Sequence, residues 1–187
     1  MKRRTTKKNT SPSKLALHGG PKSVTNTLIG WPRFDEKAVL AVTDVLRSGK
    51  VNYWTGPKGM EFEKKFAEWQ GSTFGVSVAT GTAALHVALA ALGIGPGDEV
   101  IVPAQTHVAT VHAVEFVGAR PVFADCDRET GNISAAAIEA LITPKTRAIG
   151  LVHFLGIPCE MDAIMKVARA HDLKVVEDCA LALGSFY

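Results

Sequence analysis

From residue 74 onward, short apolar runs alternate with longer stretches in which apolar residues recur at helical spacing. The short runs are rich in β-branched residues and predict strands. They are Phe74–Val78, Glu99–Val102, Pro121–Ala124, Ala148–His153 and Lys174–Glu177. The longer stretches predict helices over Thr82–Leu92, Val108–Phe116, Ser134–Leu141 and Met161–His171. Strands joined by single helices favour an α/β fold, a mostly parallel sheet with helices on both faces.

The chain before residue 73 has a different pattern. Asp35 can cap a helix that has an apolar face and ends at Gly49, and a second helix is predicted over Met60–Gln70. The aromatic residues of that second helix recur at helical spacing, which is typical of core packing: Phe62, Phe66 and Trp69. We therefore expect a tail over 1–15, an extended segment with helices over 16–72, and a large α/β domain over 73–187.

Charge is concentrated at the N-terminus. Residues 1–8 contain five lysines and arginines and no acidic residue. The rest of the chain contains 16 basic and 18 acidic residues. The basic excess is therefore typical of a disordered, solvated tail over residues 1–15. A nucleic-acid-binding protein needs basic residues on a folded face, so this distribution argues against that function.

Two further features set the expected class of protein. No apolar run approaches the ~20 residues that span a bilayer, and no apolar segment follows the basic N-terminus, so neither a membrane span nor a secretory signal is predicted. Cys126, Cys159 and Cys179 are odd in number and widely spaced. This argues against a disulfide framework or a metal site, suits a cytoplasmic protein, and leads us to expect three small buried side chains.

Candidate chemistry lies where loops leave the carboxyl ends of the predicted strands, because ligands of parallel sheets bind there. Gly81 and Thr82 open a helix directly after a predicted strand. The free N–H groups of such a helix start suit a phosphate, although Gly-Thr before a helix is more often only a cap. The segment matches neither a Walker loop nor the G-x-G-x-x-G dinucleotide motif.

Two other residues are predicted at the same edge. Asp178 follows a buried-looking strand, where a carboxylate is costly unless it meets a partner. A protonated heteroaromatic nitrogen, such as the pyridinium of pyridoxal 5′-phosphate (PLP), is one such partner, and Ala180 could then lie against the ring. His107, at another strand exit, could stack on the opposite ring face. The alternatives are that Asp178 only caps the next segment and that His107 is structural.

These segments, with several others in the same order, resemble the DegT/DnrJ/StrS family of PLP-dependent nucleotide-sugar aminotransferases. The matching stretches cover nearly everything after the tail: Trp54–Pro57, Glu61–Glu63, Gly81–Leu85, Gly95–Val100, Pro103–Thr110, Gly118–Phe123, His153–Ile164 and Glu177–Asp178. The resemblance implies a fold-type I, aspartate aminotransferase-like fold. Residues 73–187 would then be an incomplete PLP-binding large domain, truncated before the small C-terminal domain.

The resemblance also implies a function and site. Such enzymes transfer an amino group, commonly from glutamate, to a keto group of a nucleotide-linked sugar, usually as homodimers. Gly81 and Thr82 would bind the PLP phosphate, His107 would stack on the ring, and Asp178 would pair with the pyridine nitrogen. Two positions depart from the family pattern: His107 stands where an aromatic residue is common, and Leu181 stands where Gln or His is common.

The family's Schiff-base lysine follows a Ser-Phe segment some way beyond the aspartate, and the last lysine here is Lys174. We therefore expect an N-terminal half that is inactive alone, with no catalytic residue of its own. Two alternatives within the fold are a sugar 3-dehydratase, with histidine in place of the lysine, and a non-catalytic sugar-sensing regulator. The sequence does not specify the sugar, the nucleotide or the ring position.

Overall fold

The structure is a computed structural model that describes residues 14–27 and 30–187. Most of the predicted tail, residues 1–13, lies outside the described residues. The chain divides into two compact units, Met1–Gly56 and Pro57–Tyr187. The three regions predicted from the sequence stay a prediction.

The first unit contains a short 3₁₀ turn, Ala16–His18, and helix α1, Glu36–Ser48. Asp35 caps α1 as predicted, since its carboxylate accepts a hydrogen bond from the N–H of Ala38 at 2.8 Å. Gly49 ends the helix in the left-handed conformation, with φ of 67°, which a residue with a side chain adopts less easily.

The second unit contains five α-helices and four strands, which alternate after the first two helices, and a short 3₁₀ turn, Phe154–Gly156. The helices are α2 (Lys58–Gln70), α3 (Gly81–Ala91), α4 (Val108–Phe116), α5 (Ala135–Glu139) and α6 (Met161–Ala170). The strands are β1 (Glu99–Pro103), β2 (Arg120–Ala124), β3 (Thr146–Val152) and β4 (Lys174–Asp178). Each of these helices and strands follows a predicted element within two residues at each end, and Ser134 caps α5 through the N–H of Ala137.

The four strands form one parallel sheet in the order β2-β1-β3-β4. Alternate residues of β1 face opposite sides: Ile101 packs in a cluster with α5 and α6, and Val100 and Val102 pack in a cluster with α3 and α4. Helices therefore cover both faces, and the fold class predicted from the sequence is confirmed. The carboxyl ends of β1 and β4 flank that of β3, so the loops after them meet at one edge.

The strand predicted over Phe74–Val78 is wrong. This segment is extended but pairs with no strand of the described chain, and the side chains of Phe74 and Val76 are 83% and 74% exposed. An alternating apolar pattern indicates an extended segment, but a strand also needs a neighbour to accept its backbone hydrogen bonds.

Two burial predictions also need correction. The aromatic stripe of α2 is not in a core: Phe62 and Trp69 are 58% and 57% exposed, and Phe66 is 36% exposed. Among the cysteines only Cys159 is buried, whereas Cys126 is half-buried and Cys179 is exposed. Helical spacing shows which residues share a face and does not show whether a partner covers that face. Across the described residues, no helix has the length and apolar character needed to cross a membrane.

Candidate functional site

Asp178 is the last residue of β4, at the carboxyl edge of the sheet, where it pairs in register with Val152 of β3. Its side chain is buried, with 9% exposure. Oδ1 accepts a hydrogen bond from the backbone N–H of Ala180 at 3.1 Å, and Oδ2 accepts one from the hydroxyl of Thr110 at 2.8 Å. A carboxylate has about four lone-pair positions, so further acceptor positions remain on both oxygens.

Thr110 ties Asp178 to α4. It is itself buried, and its hydroxyl lies 2.8 Å from that of Thr106, in the loop between β1 and α4. The two threonine hydroxyls and the carboxylate thus form a hydrogen-bond network across the edge of the sheet. Sequence reasoning did not give either threonine a role, because a hydroxyl within a helix has no pattern that reveals a partner 68 residues away.

His107 is exposed and is the residue before the first turn of α4. Its Nδ1 accepts a hydrogen bond from the N–H of Ala109 at 3.2 Å, so the ring caps the helix. A nitrogen that accepts an N–H bond carries no proton, which places the proton of the neutral ring on Nε2. The ring is thereby held in one orientation while the side chain remains exposed.

Gly81 and Thr82 are the first two residues of α3. The cap of this helix is Thr80, which sequence reasoning missed: its hydroxyl accepts a hydrogen bond from the N–H of Ala83 at 3.1 Å. In the hydrogen-bond network of the described residues, the N–H groups of Gly81 and Thr82 have no partner, as expected at the start of a helix. Two backbone donors therefore point from the positive end of the helix dipole.

Three side chains of metal-ligating type come together beside Asp178: His153, Glu177 and Cys179, whose ligand atoms lie within 4.8 Å of one another. Nε2 of His153 lies 2.9 Å from Oε2 of Glu177, and Nδ1 accepts the N–H of Cys159 at 3.0 Å. The ring proton therefore occupies Nε2, where a metal would have to bind. A metal-bound histidine normally donates from its other nitrogen, so this cluster is built as a hydrogen-bonded link and not as a metal site.

The thiols near this link are held protonated. Burial, with a smaller contribution from the carboxylate of Glu177, raises the pKa of Cys159 from 9.0 to about 11. Burial, followed by the carboxylates of Glu177 and Asp178, also raises the pKa of Cys179. Both thiols are therefore poor nucleophiles, because the thiolate is the reactive form.

Asn132 joins two loops of the same edge. Its amide donates to the carbonyl oxygens of Ile157 and Pro158 at 2.9 and 3.2 Å, and its Oδ1 accepts the N–H of Phe154 at 2.9 Å. The loops that follow β2 and β3 are therefore fixed to each other by one buried side chain. Gly131 permits this approach, since a Cβ there would lie 2.8 Å from Cδ1 of Phe154.

The structure thus brings some of the candidate residues together. Asp178 and Ala180 share a hydrogen bond, and Thr110 connects Asp178 to α4, the helix that His107 caps. Helix α3, which begins at Gly81, packs against α4 and contacts β4. No hydrogen bond of the described residues joins Gly81 or Thr82 to Asp178.

Comparison with known proteins shows which family the chain belongs to. The model of the DegT/DnrJ/EryC1/StrS aminotransferase family matches residues 32–187. An aminotransferase from Psychrobacter cryohalolentis is 48% identical, with a TM-score of 0.84, over 86% of this chain and 41% of that chain. DesV of S. venezuelae, solved in complex with a ketimine intermediate, is 42% identical with a TM-score of 0.75, over 79% of this chain and 39% of that one.

A third similar structure is Spr1654 from Streptococcus pneumoniae in its PLP form. It is 35% identical, with a TM-score of 0.76, over 82% of this chain and 42% of that chain. This chain thus spans about two fifths of the length of the solved structures that it matches. The fold is that of the PLP-dependent aminotransferases.

Proposed function

Since this chain belongs to the DegT/DnrJ/EryC1/StrS aminotransferase family, whose members depend on PLP, we propose that it provides the cofactor-binding half of a sugar aminotransferase. The substrate we propose is a nucleotide-linked keto sugar, the amino donor is glutamate, and the whole protein is a cytoplasmic homodimer. The observation that carries the proposal is a buried carboxylate at the carboxyl end of β4 with acceptor positions to spare.

The residues of this chain fit the chemistry of PLP. A pyridine nitrogen that is to stay protonated needs an anion beside it, and Asp178 is a carboxylate held at both oxygens. A phosphate needs backbone donors at a positive helix end, and the first two N–H groups of α3, at Gly81 and Thr82, are of that kind. An exposed planar ring, as His107 has, suits the face of a heteroaromatic ring.

When bound, PLP supplies an electron sink for the carbon that loses its proton. In our proposal Asp178 holds the proton on the pyridine nitrogen, which keeps the ring electron-poor. The amides of Gly81 and Thr82 anchor the phosphate, and His107 and Ala180 restrict the ring to one plane from its two faces. These residues bind and orient the ring, and none of them moves the substrate proton.

The proton transfer requires a base, and the described loops at the carboxyl edge of the sheet offer no lysine for it. The loops that follow the four strands, 104–107, 125–134, 153–160 and 179–187, contain no lysine. Lys174 begins β4, at the opposite edge of the sheet. We expect this chain to bind cofactor without a covalent bond and not to transaminate, so PLP should give no imine absorbance at about 400–430 nm. Borohydride trapping of PLP on one lysine in stoichiometric yield would contradict this.

The pairing of Asp178 is tested with pyridoxamine 5′-phosphate (PMP), which needs no lysine. Asp178→Asn keeps the shape of the side chain and removes the charge, so we expect PMP to bind about ten- to a hundredfold more weakly, the effect of one charge-assisted hydrogen bond. Titration calorimetry of the chain measures the dissociation constant.

Asp172→Asn is the matched control for this charge change. Asp172 is exposed, follows α6 at the opposite edge of the sheet, and has a φ of 51° that asparagine tolerates. We expect the control to bind PMP as the unchanged chain does. Equal affinity for PMP in Asp178→Asn and Asp172→Asn would show that Asp178 does not face the cofactor.

A further inference from the structure

We propose that Thr110 is a positioning residue that holds the Asp178 carboxylate in the orientation that faces the cofactor, with Thr106 setting the direction of the hydrogen bonds. The inference rests on the proposed pairing of Asp178 with the pyridine nitrogen. It concerns the two threonines, whose hydroxyls lie behind the carboxylate.

The direction of the hydrogen bonds follows from the number of protons. An ionised carboxylate only accepts hydrogen bonds, so the single hydroxyl proton of Thr110 is the one on Asp178 Oδ2, at 2.8 Å. With that proton committed, the 2.8 Å contact between the two threonine hydroxyls has Thr106 as its donor, in preference to the longer contact of 3.3 Å from the same hydroxyl to the carbonyl oxygen of His107. Both hydroxyl protons are then donated in the direction of Asp178, from Thr106 to Thr110 and from Thr110 to the carboxylate.

The geometry of Thr110 is unusual for a threonine near a helix start. Such a hydroxyl commonly bonds to a backbone group of its own helix, which satisfies it locally. Here it leaves the helix and reaches a carboxylate on β4, and both groups are buried, at 4% and 9% exposure. A bond to a buried charge is stronger than one between neutral groups, because the low local dielectric strengthens the interaction.

The consequence is a carboxylate fixed at two points. The N–H of Ala180 holds Oδ1 at 3.1 Å and Thr110 holds Oδ2, so rotation of the carboxylate plane breaks one bond or the other. A carboxylate fixed in this orientation keeps its remaining acceptor positions toward the pyridine nitrogen, whose proton it retains by a charge-assisted hydrogen bond.

The test uses this chain with PMP labelled with nitrogen-15 in the pyridine ring. The nitrogen chemical shift reports what fraction of the bound ring is protonated. Thr110→Val keeps the shape and removes the hydroxyl, and we expect the ratio of protonated to neutral ring at neutral pH to fall about tenfold, one pKa unit of differential interaction. Thr110→Ser keeps the hydroxyl and should restore the ratio. Thr106→Val should lower it in the same direction by a smaller factor.

Each outcome separates this inference from the proposed function. Loss of ring protonation in Asp178→Asn but not in Thr110→Val would overturn the role of Thr110, even if Thr110→Val lowered the melting temperature. An unchanged ratio in Asp178→Asn, or no binding of PMP by the unchanged chain, would overturn the proposed pairing itself. If Thr110→Val does not fold, the half-buried Thr106→Val decides, and an unchanged ratio there overturns the inference.

Discussion

The side chain of Cys159 shows how one buried group makes the stability of this fold depend on pH. Its Sγ lies 3.2 Å from the carbonyl oxygen of Val152, and it has no exposed surface. Burial raises the pKa of the thiol to about 11, above its ordinary value of 9.0. The folded chain therefore binds this proton more tightly than the unfolded chain does.

We predict that this stabilisation is fully present below about pH 9 and is lost as the pH rises toward about 11, where the folded form also loses the proton. The loss amounts to at most about 3 kcal/mol, at 1.36 kcal/mol per pKa unit. Urea unfolding at about pH 8 and about pH 10 measures it. Cys159→Ala, which has no thiol to titrate, should lose less free energy of unfolding between the two pH values. Equal losses in both chains would contradict the prediction.

His107 combines two roles in our account, and a substitution can separate them. His107→Ala removes both the cap of α4 and the proposed stacking ring, so we expect weaker PMP binding, by about tenfold, and about 1 kcal/mol lower stability. His107→Asn keeps a capping side chain without the ring. We expect it to recover the stability and not the affinity, which calorimetry with PMP and thermal unfolding measure separately. Recovery of both by asparagine would show that His107 acts only as a cap.

At the scale of elements, the sequence predicts well those features that depend on residues close together along the chain. Asp35 caps the helix it was expected to cap, Ser134 at the start of the predicted helix caps α5, and α4 has the predicted bounds. The geometry of the first helical turn places a capping side chain beside the N–H three residues ahead, so a cap can be recognised from a short stretch of sequence. The parallel sheet is predictable for the same reason, because the apolar residues of each helix between two strands recur at helical spacing in the sequence.

The features that were missed depend on partners far away in the chain. The segment Phe74–Val78 has a strand's alternating pattern but no strand beside it among the described residues. Asp178 was predicted as a candidate from its position after a strand, whereas the hydroxyl of Thr110 that holds it comes from a helix 68 residues earlier. The spacing of apolar residues shows which side chains share a face of a helix or strand. It does not show which distant side chain contacts that face.

The link between the loops after β2 and β3 gives a prediction at this scale. Asn132→Ala would leave the N–H of Phe154 and the carbonyl oxygens of Ile157 and Pro158 without their partner. We expect the free energy of unfolding to fall by about 2–3 kcal/mol, because unpaired buried polar groups cost more than the bonds themselves contribute. Urea unfolding measures the change.

Asn132→Asp refines this test, because it keeps the acceptor for Phe154 and loses the two donors. A carboxylate would then face two carbonyl oxygens, so we expect a loss at least as large as that of Asn132→Ala. A change of less than about 0.5 kcal/mol in both variants would show that these loops hold their positions without Asn132.

At the scale of the whole molecule, the exposed apolar surface is the feature that the fold does not explain by itself. The chain spans about two fifths of the length of its solved relatives. It exposes Phe74, Val76 and the aromatic stripe of α2, formed by Phe62, Phe66 and Trp69. An unpaired extended segment with apolar side chains on one face is a template for pairing with another chain.

We therefore predict that the 19.9 kDa chain self-associates through the segment Phe74–Val78 as its concentration rises. Val76→Lys places a charge on the apolar face of the segment, a change that blocks edge pairing, and should weaken self-association about tenfold or more. Thr73→Lys adds the same charge at an exposed position immediately before the segment. Sedimentation velocity over a range of concentrations should show the average mass of Thr73→Lys rising as that of the unchanged chain does, while Val76→Lys stays near the monomer. If both lysine variants associate like the unchanged chain, another apolar surface drives the association, and the aromatic stripe of α2 is the next to substitute.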